Sequence, residues 1–169
     1  MESVADVENL CFSTEDKLFY ATQTTLSLDD VGEIAAALKQ KYPQVETLAS
    51  SSICYATTNR QMALRSVTDR VDLVLVVGDP TSSNSNRLCE VALKRGVPAH
   101  LINGVKEIIP EWFLGVSTLA LTAGASTPEA LVQSCIQRLM EMGVAEVEEV
   151  VFTEENVVFQ LPKSLTTVA

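Results

Sequence analysis

The run Val71-Asp72-Leu73-Val74-Leu75-Val76-Val77 carries the strongest strand signal in the sequence, and it ends on Gly78. A near-continuous Val/Leu run without polar alternation suits a strand covered on both faces. Such strands sit in parallel sheets with helices above and below. The rest of the chain fits that demand, because strand and helix patterns alternate around it. Leu18–Ala21 reads as a strand. Ser27 offers an N-cap, with Asp29 and Asp30 in the first turn of a helix running to about Lys41 and stopped by Pro43. Val31, Ile34, Ala35 and Leu38 share one face of it. A weak strand near Val45–Leu48 and a helix over Asn59–Val67 precede the central strand. A helix over Asn86–Arg95 stopped by Gly96, strands Val97–Ile102 and Leu119–Thr122, and a helix from Pro128 to Met142 stopped by Gly143 follow it. A further strand is expected near Glu146–Phe152, and a polar turn then leads to Asn156–Leu161. The fold class is therefore α/β with mainly parallel sheets.

The 169 residues suit one domain, or one domain plus part of another. The net charge of −10 argues against nucleic acid as the main partner, which clustered Lys and Arg would bind, and against an anionic membrane surface. No apolar run is long enough to span a bilayer, and the first residues lack the pattern of a secretory signal, so a cytoplasmic location is the default. Cys11, Cys54, Cys89 and Cys135 are scattered and form no CxxC pair, which favours thiols or metal ligands over a disulfide frame. His100 stands alone among the histidines, so a His-rich zinc site is excluded.

Three strands run directly into loops of small and hydroxyl-bearing residues, each followed by a helix start: Tyr20–Ser27, Val77–Asn86 and Thr122–Pro128. Ligands of parallel sheets gather beyond the carboxyl ends of the strands, where helix N-termini present free N–H groups. Three such ends would make a polar cradle for an anion, most plausibly phosphate. Helix capping alone accounts for any one of these loops. One N-cap, however, needs one such residue, and Ser82–Asn86 supplies five in a row. No GxxxxGK[ST] motif is present, so this is not a P-loop.

The segments Thr22–Ser27, Ile53–Gln61, Ser82–Leu88 and Thr122–Ser126, and the tail Glu154–Phe159, occur in the order found in 4-hydroxy-3-methylbut-2-enyl diphosphate reductases. The chain resembles that family over nearly its whole length. The resemblance implies three αβ units around a [4Fe-4S] cluster held by three cysteines, one from each unit. It also implies an allylic diphosphate substrate that loses its hydroxyl to two electrons and protons, supplied by a ferredoxin or flavodoxin type donor.

Residue by residue, the resemblance makes Cys54 a cluster ligand. Thr24 becomes the threonine beside the substrate hydroxyl, for hydrogen bonding and proton delivery. Ser82, Ser83, Asn84 and Ser126 become diphosphate contacts. Cys11, Cys89 and Cys135 match no ligand, and His100, Trp112 and Phe113 read as structural. The family's first half, with two cysteines, its histidines and a glutamate, has no counterpart here. The expected organisation is then a remnant of the second unit over 1–50, a complete third unit over 51–125, and a C-terminal helix and strands over 126–169. Apolar surface is expected where the absent units would pack, near Leu18–Ala21 and on the last strand. The alternative is a diphosphate-binding or interaction module without the cluster.

Overall fold

The computed structural model describes residues 1–26, 28–47 and 53–153, with backbone alone for 28–30. It shows an α/β arrangement of helices and two parallel sheets. The first sheet pairs β1 (Phe19–Tyr20) with β2 (Glu46–Thr47), joined by α2 (Leu28–Lys41). A short α1 (Val4–Glu8) packs on α2, capped by Ser3 and Asp6 in a reciprocal box. Their apolar centre is Val7, Leu38, Tyr42 and Val45.

The second sheet has the order β4-β3-β5, with β3 (Leu73–Val77) in the middle, β4 (Ala99–Ile102) on one side and β5 (Leu119–Ala123) on the other. Every β3 residue is buried, as the unbroken apolar run required. Val74 and Val76 point to a layer made by α3 (Tyr55–Val67) and α4 (Ser83–Lys94), through Leu64, Val67, Leu88, Val91 and Ala92. Leu73, Leu75 and Val77 point the other way, to Cys135 and Leu139 of α5 (Glu129–Glu141) and to Ile108. Each fully buried Val or Leu contributes about 1.5–3 kcal/mol of transfer free energy, so this strand anchors both layers.

Helix ends follow local rules. Gly96 adopts φ 77° just past α4, while Gly96 N–H donates to Leu93 O and Val97 N–H to Ala92 O. Gly143 closes α5 in the same way, and both glycines stop helices where the sequence placed the stops. Pro98 cannot donate to the ladder, yet its carbonyl accepts from Val74 N–H at 2.9 Å at the head of β4. His100 of β4 stacks flat on Trp112, with ring centroids 3.9 Å apart, and burial holds its pKa below the usual value.

Several boundaries differ from expectation. Helix α3 starts at Tyr55, not Asn59, because Cys54 takes the N-cap position and β-branched Thr57 and Thr58 fall inside the first turns. Helix α4 starts at Ser83, not Asn86, because Ser82 accepts the N–H of Ser85 and caps it. Pro128 is the N-cap of α5 rather than its first residue. Residues Glu146–Phe152 form no strand: a strand needs a neighbour to complete its ladder, and no described strand lies beside them. Val147, Val151 and Phe152 are exposed there, and Phe19 is exposed on β1. Ser27, Leu48, Asn156–Leu161 and Glu154–Phe159 lie outside the described residues. Among the described residues no helix is long and apolar enough to cross a membrane.

Candidate functional site at a strand crossover

The strand order creates a crevice. From β3 the chain leaves over one face into α4; from β5 it leaves over the opposite face into α5. Two adjacent parallel strands whose following helices part in this way open a cleft at their carboxyl ends, the usual ligand position in such sheets. Here the cleft lies beyond the carboxyl ends of β3 and β5, past Gly78 and Gly124. Helix α3 runs back along the same layer as α4, so the N-termini of α3, α4 and α5 all lie at this end of the sheet. Each presents unpaired N–H groups and a partial positive charge.

Ser82, Ser83 and Asn84 form the cap and first turn of α4. Ser82 is half-buried and Ser83 exposed, but Asn84 is only 6% exposed. Both its Nδ2 and its Oδ1 are buried without a hydrogen-bond partner. An amide with neither group satisfied costs roughly 1–3 kcal/mol for each missing bond, so its placement at the start of α4 calls for a polar partner. Asn86 behaves differently: its Nδ2 donates to Pro80 O and Ser82 O and so braces the loop.

Ser126 sits exposed in the loop between β5 and α5. That loop is tied to the end of β3, because Gly124 N–H and Thr127 Oγ1 both donate to Val77 O at 2.9 Å. The two cradle segments around β3 and β5 therefore converge. At the mouth, Thr81 donates its N–H and hydroxyl to Asp79. The hydroxyl first, then the N–H, holds that carboxyl below the ordinary range.

The third loop reaches the site from the other sheet. Thr24 is exposed in the turn after β1, and its carbonyl accepts the N–H of Cys54 at 2.9 Å. Cys54 itself is exposed at the N-cap of α3, with φ −63° and ψ 129°. Gln61, buried one to two turns on, donates to Leu26 O at 3.4 Å. Thr22 Oγ1 is a further buried hydroxyl without a partner.

The other cysteines stand apart. Cys135 is fully buried under α5, and burial raises its pKa. Cys89 is pushed up to about 11 by burial, with the charge of Glu90 adding to it. Cys11 is exposed in the segment after α1. Among the described residues no three His, Cys, Asp or Glu side chains gather where they could hold a metal ion. A [4Fe-4S] cluster takes Cys thiolates as its protein ligands, so this chain's own donors do not hold one unaided.

Ser85, Thr127, Gly78, Gly124 and Gln61 shape this region and were not singled out in the sequence. The two glycines were the available signal, since each directly follows a strand and opens a hydroxyl-rich loop. Gln61 is marked in the sequence only as the last residue of the segment Ile53–Gln61.

Comparison with known proteins agrees with this architecture. The family model described as "LytB protein" matches residues 1–140. A 4-hydroxy-3-methylbut-2-enyl diphosphate reductase of Protochlamydia amoebophila is 70% identical over 165 residues, covering 98% of this chain and 53% of that protein. One from Chlamydia pneumoniae is 60% identical over 167 residues, covering 98% and 54%. The solved structure of the E-1-hydroxy-2-methyl-but-2-enyl-4-diphosphate reductase from Plasmodium falciparum superposes with a TM-score of 0.91 at 42% identity, covering 98% of this chain and 53% of that one. The chain thus spans about half the length of the curated relatives it matches. With the profile matched over most of its length and the backbone shared almost throughout, the chain belongs to the LytB protein family.

Proposed function

We propose that this chain supplies the diphosphate-holding wall of a 4-hydroxy-3-methylbut-2-enyl diphosphate reductase, in isoprenoid biosynthesis by the non-mevalonate route. The observation that carries the reading is Asn84, in the first turn of α4, whose buried amide has neither end satisfied. Its NH2 donates to a phosphate oxygen, and the hydroxyls of Ser82, Ser83 and Ser126 add neutral donors around the same group. The helix N-termini contribute partial positive charge, so an acidic chain can still hold an anion. Thr24, held beside Cys54, is the hydrogen-bonding and proton-delivering residue for the substrate hydroxyl.

Cys54 is one thiolate ligand of a [4Fe-4S] cluster whose other ligands lie outside this chain, and a ferredoxin or flavodoxin type donor feeds it. In the complete enzyme that cluster supplies the electrons that, with protons, release the hydroxyl as water. In this reading residues 1–50 belong to the second αβ unit, 51–125 form the third, and 126–169 return toward the first. The protein works in the cytoplasm, completed by the half that its relatives carry or by self-association.

A second reading has its own support: Cys54 has no companion donors among the described residues. On that ground the chain by itself is a diphosphate-binding module without redox chemistry.

Asn84→Leu tests the first reading in the reductase assembled with the complementary half. Replacing an unsatisfied amide by an apolar side chain of similar size leaves the melting temperature unchanged or higher. It raises KM for the allylic diphosphate, and the inhibition constant of inorganic pyrophosphate, about 10–100-fold, the worth of roughly 1.5–3 kcal/mol of charge-assisted hydrogen bonding. Unchanged constants would remove Asn84 from the site. Cys54→Ser should abolish bound iron and visible absorption in the assembled enzyme. If the assembled wild type is colourless yet binds pyrophosphate, the module reading replaces the reductase.

A further inference from the structure

Two residues that no cradle role claims fill the floor of the crevice. Ser85 is 1% exposed and is the third residue of α4. A Cβ added to Gly78 would stand 2.8 Å from Ser85 Cβ, and one added to Gly124 would press on Ser85 Oγ and lie 3.2 Å from Thr127 Oγ1. Neither glycine has a positive φ. Of the two common reasons for a glycine, backbone conformation and close approach, only the second applies here. The ends of β3 and β5 are bare so that the Ser85 side chain can seat between them. Thr127 completes the arrangement. Its hydroxyl and Gly124 N–H occupy the two lone pairs of Val77 O, and Thr127 N–H closes the loop on Gly124 O at 3.0 Å.

Each of these residues is the immediate chain neighbour of a proposed cradle residue: Ser85 follows Asn84, and Thr127 follows Ser126. We propose that Ser85 and Thr127 are positioning residues of the crevice. Ser85 sets how closely the first turn of α4 approaches both strand ends, and Thr127 hangs the Ser126 loop on the last carbonyl of β3. Together they fix the separation between Asn84 and Ser126. The inference rests on the reading that this crevice takes a diphosphate.

Thr127→Val keeps the side-chain shape and removes the donor; Thr127→Ser keeps the donor. In the assembled reductase, Thr127→Val raises KM for the allylic diphosphate and the inhibition constant of inorganic pyrophosphate about tenfold, with kcat within about twofold, and Thr127→Ser restores both. Ser85→Thr, which adds a methyl group to a filled space, gives the same signature. A fall in melting temperature with both constants unchanged would overturn the proposal and leave the pair purely structural. Amide exchange in the 169-residue chain separates this from the diphosphate reading. Exchange at Gly124 and Thr127, whose N–H groups donate to Val77 O and Gly124 O, should accelerate in Thr127→Val and not in Thr127→Ser, whatever ligand the crevice takes. Unaltered exchange overturns the positioning role, whereas a wild-type enzyme blind to pyrophosphate overturns the diphosphate.

Discussion

The N–H of Cys54 donates to the carbonyl of Thr24 at 2.9 Å, and so joins the end of one parallel sheet to the helix that leads into the other. Among the described residues the apolar clusters do not make this link: one belongs to α1, α2 and the first sheet, and two lie on the faces of β3. Thr24 and Cys54 are held beside each other by polar contacts, and the second of these is Gln61.

Gln61→Leu should therefore loosen that junction more than it harms the core. The side chain is buried and of similar size to leucine, and the Leu26 carbonyl loses its donor. A loss of about 1 kcal/mol in urea unfolding is expected, with faster exchange of the Cys54 amide, whose N–H donates to Thr24 O. An unaltered exchange pattern would show that the contact carries no weight.

Gly124→Ala should cost about 1–3 kcal/mol, the usual penalty for forcing an atom into filled space. The added carbon meets the Ser85 side chain. Ser85→Gly in the same molecule should recover most of that loss, which a double-mutant cycle by denaturant titration will measure. Independent, additive losses would contradict the contact.

Lys41 fastens the N-terminal segment. Its ammonium donates to Val7 O at 3.0 Å, Glu8 O at 2.6 Å and Leu10 O at 2.9 Å, so it caps the carbonyl end of α1. Tyr42 OH adds a bond to Leu10 O at 2.6 Å. Lys41→Met should lower stability by about 1–2 kcal/mol. Limited proteolysis should then cut within residues 1–16, with the second sheet untouched.

Asp72 and His100 shape the acid side of the stability profile at two different pH values. The N–H groups of Thr118 and then Ser117 hold the Asp72 carboxyl below its ordinary value. That stabilisation is complete above the unfolded value of about 3.9 and disappears as the pH falls through the lower folded value. Burial lowers the pKa of His100, so the unfolded chain takes up the proton first. Stability therefore starts to fall once the pH drops below about 6.5. Thermal melts against pH should show both steps. Asp72→Ala shrinks the lower one, to which Asp6 and Asp79 also contribute, and His100→Phe, which keeps a ring against Trp112, removes the upper.

Much of this architecture is written in local sequence. The unbroken apolar run of β3 could only be a covered strand, and Gly96 and Gly143 marked their helix ends. Helix starts were harder. Tyr55, Thr57 and Thr58 are weak helix formers, and the cluster Ser83-Asn84-Ser85 looks like loop until Ser82 is seen capping it. The expected strand at Glu146–Phe152 shows the opposite error, because strand propensity does nothing without a partner edge. Within the site, side-chain chemistry was legible from Ser82 to Asn84. The packing partners Ser85, Gly78 and Gly124 were not, because their meaning lies in a distance between segments far apart in the chain.

The position of β3 under both helical layers has an energetic corollary. An anion lodged above Ser85, beyond the carboxyl ends of β3 and β5, would be a rivet at the seam where two greasy halves meet. Filling the crevice therefore opposes melting of both halves at once, by about 2.7 kcal/mol at a hundred times the dissociation constant. Heat resistance then becomes a gauge of occupancy.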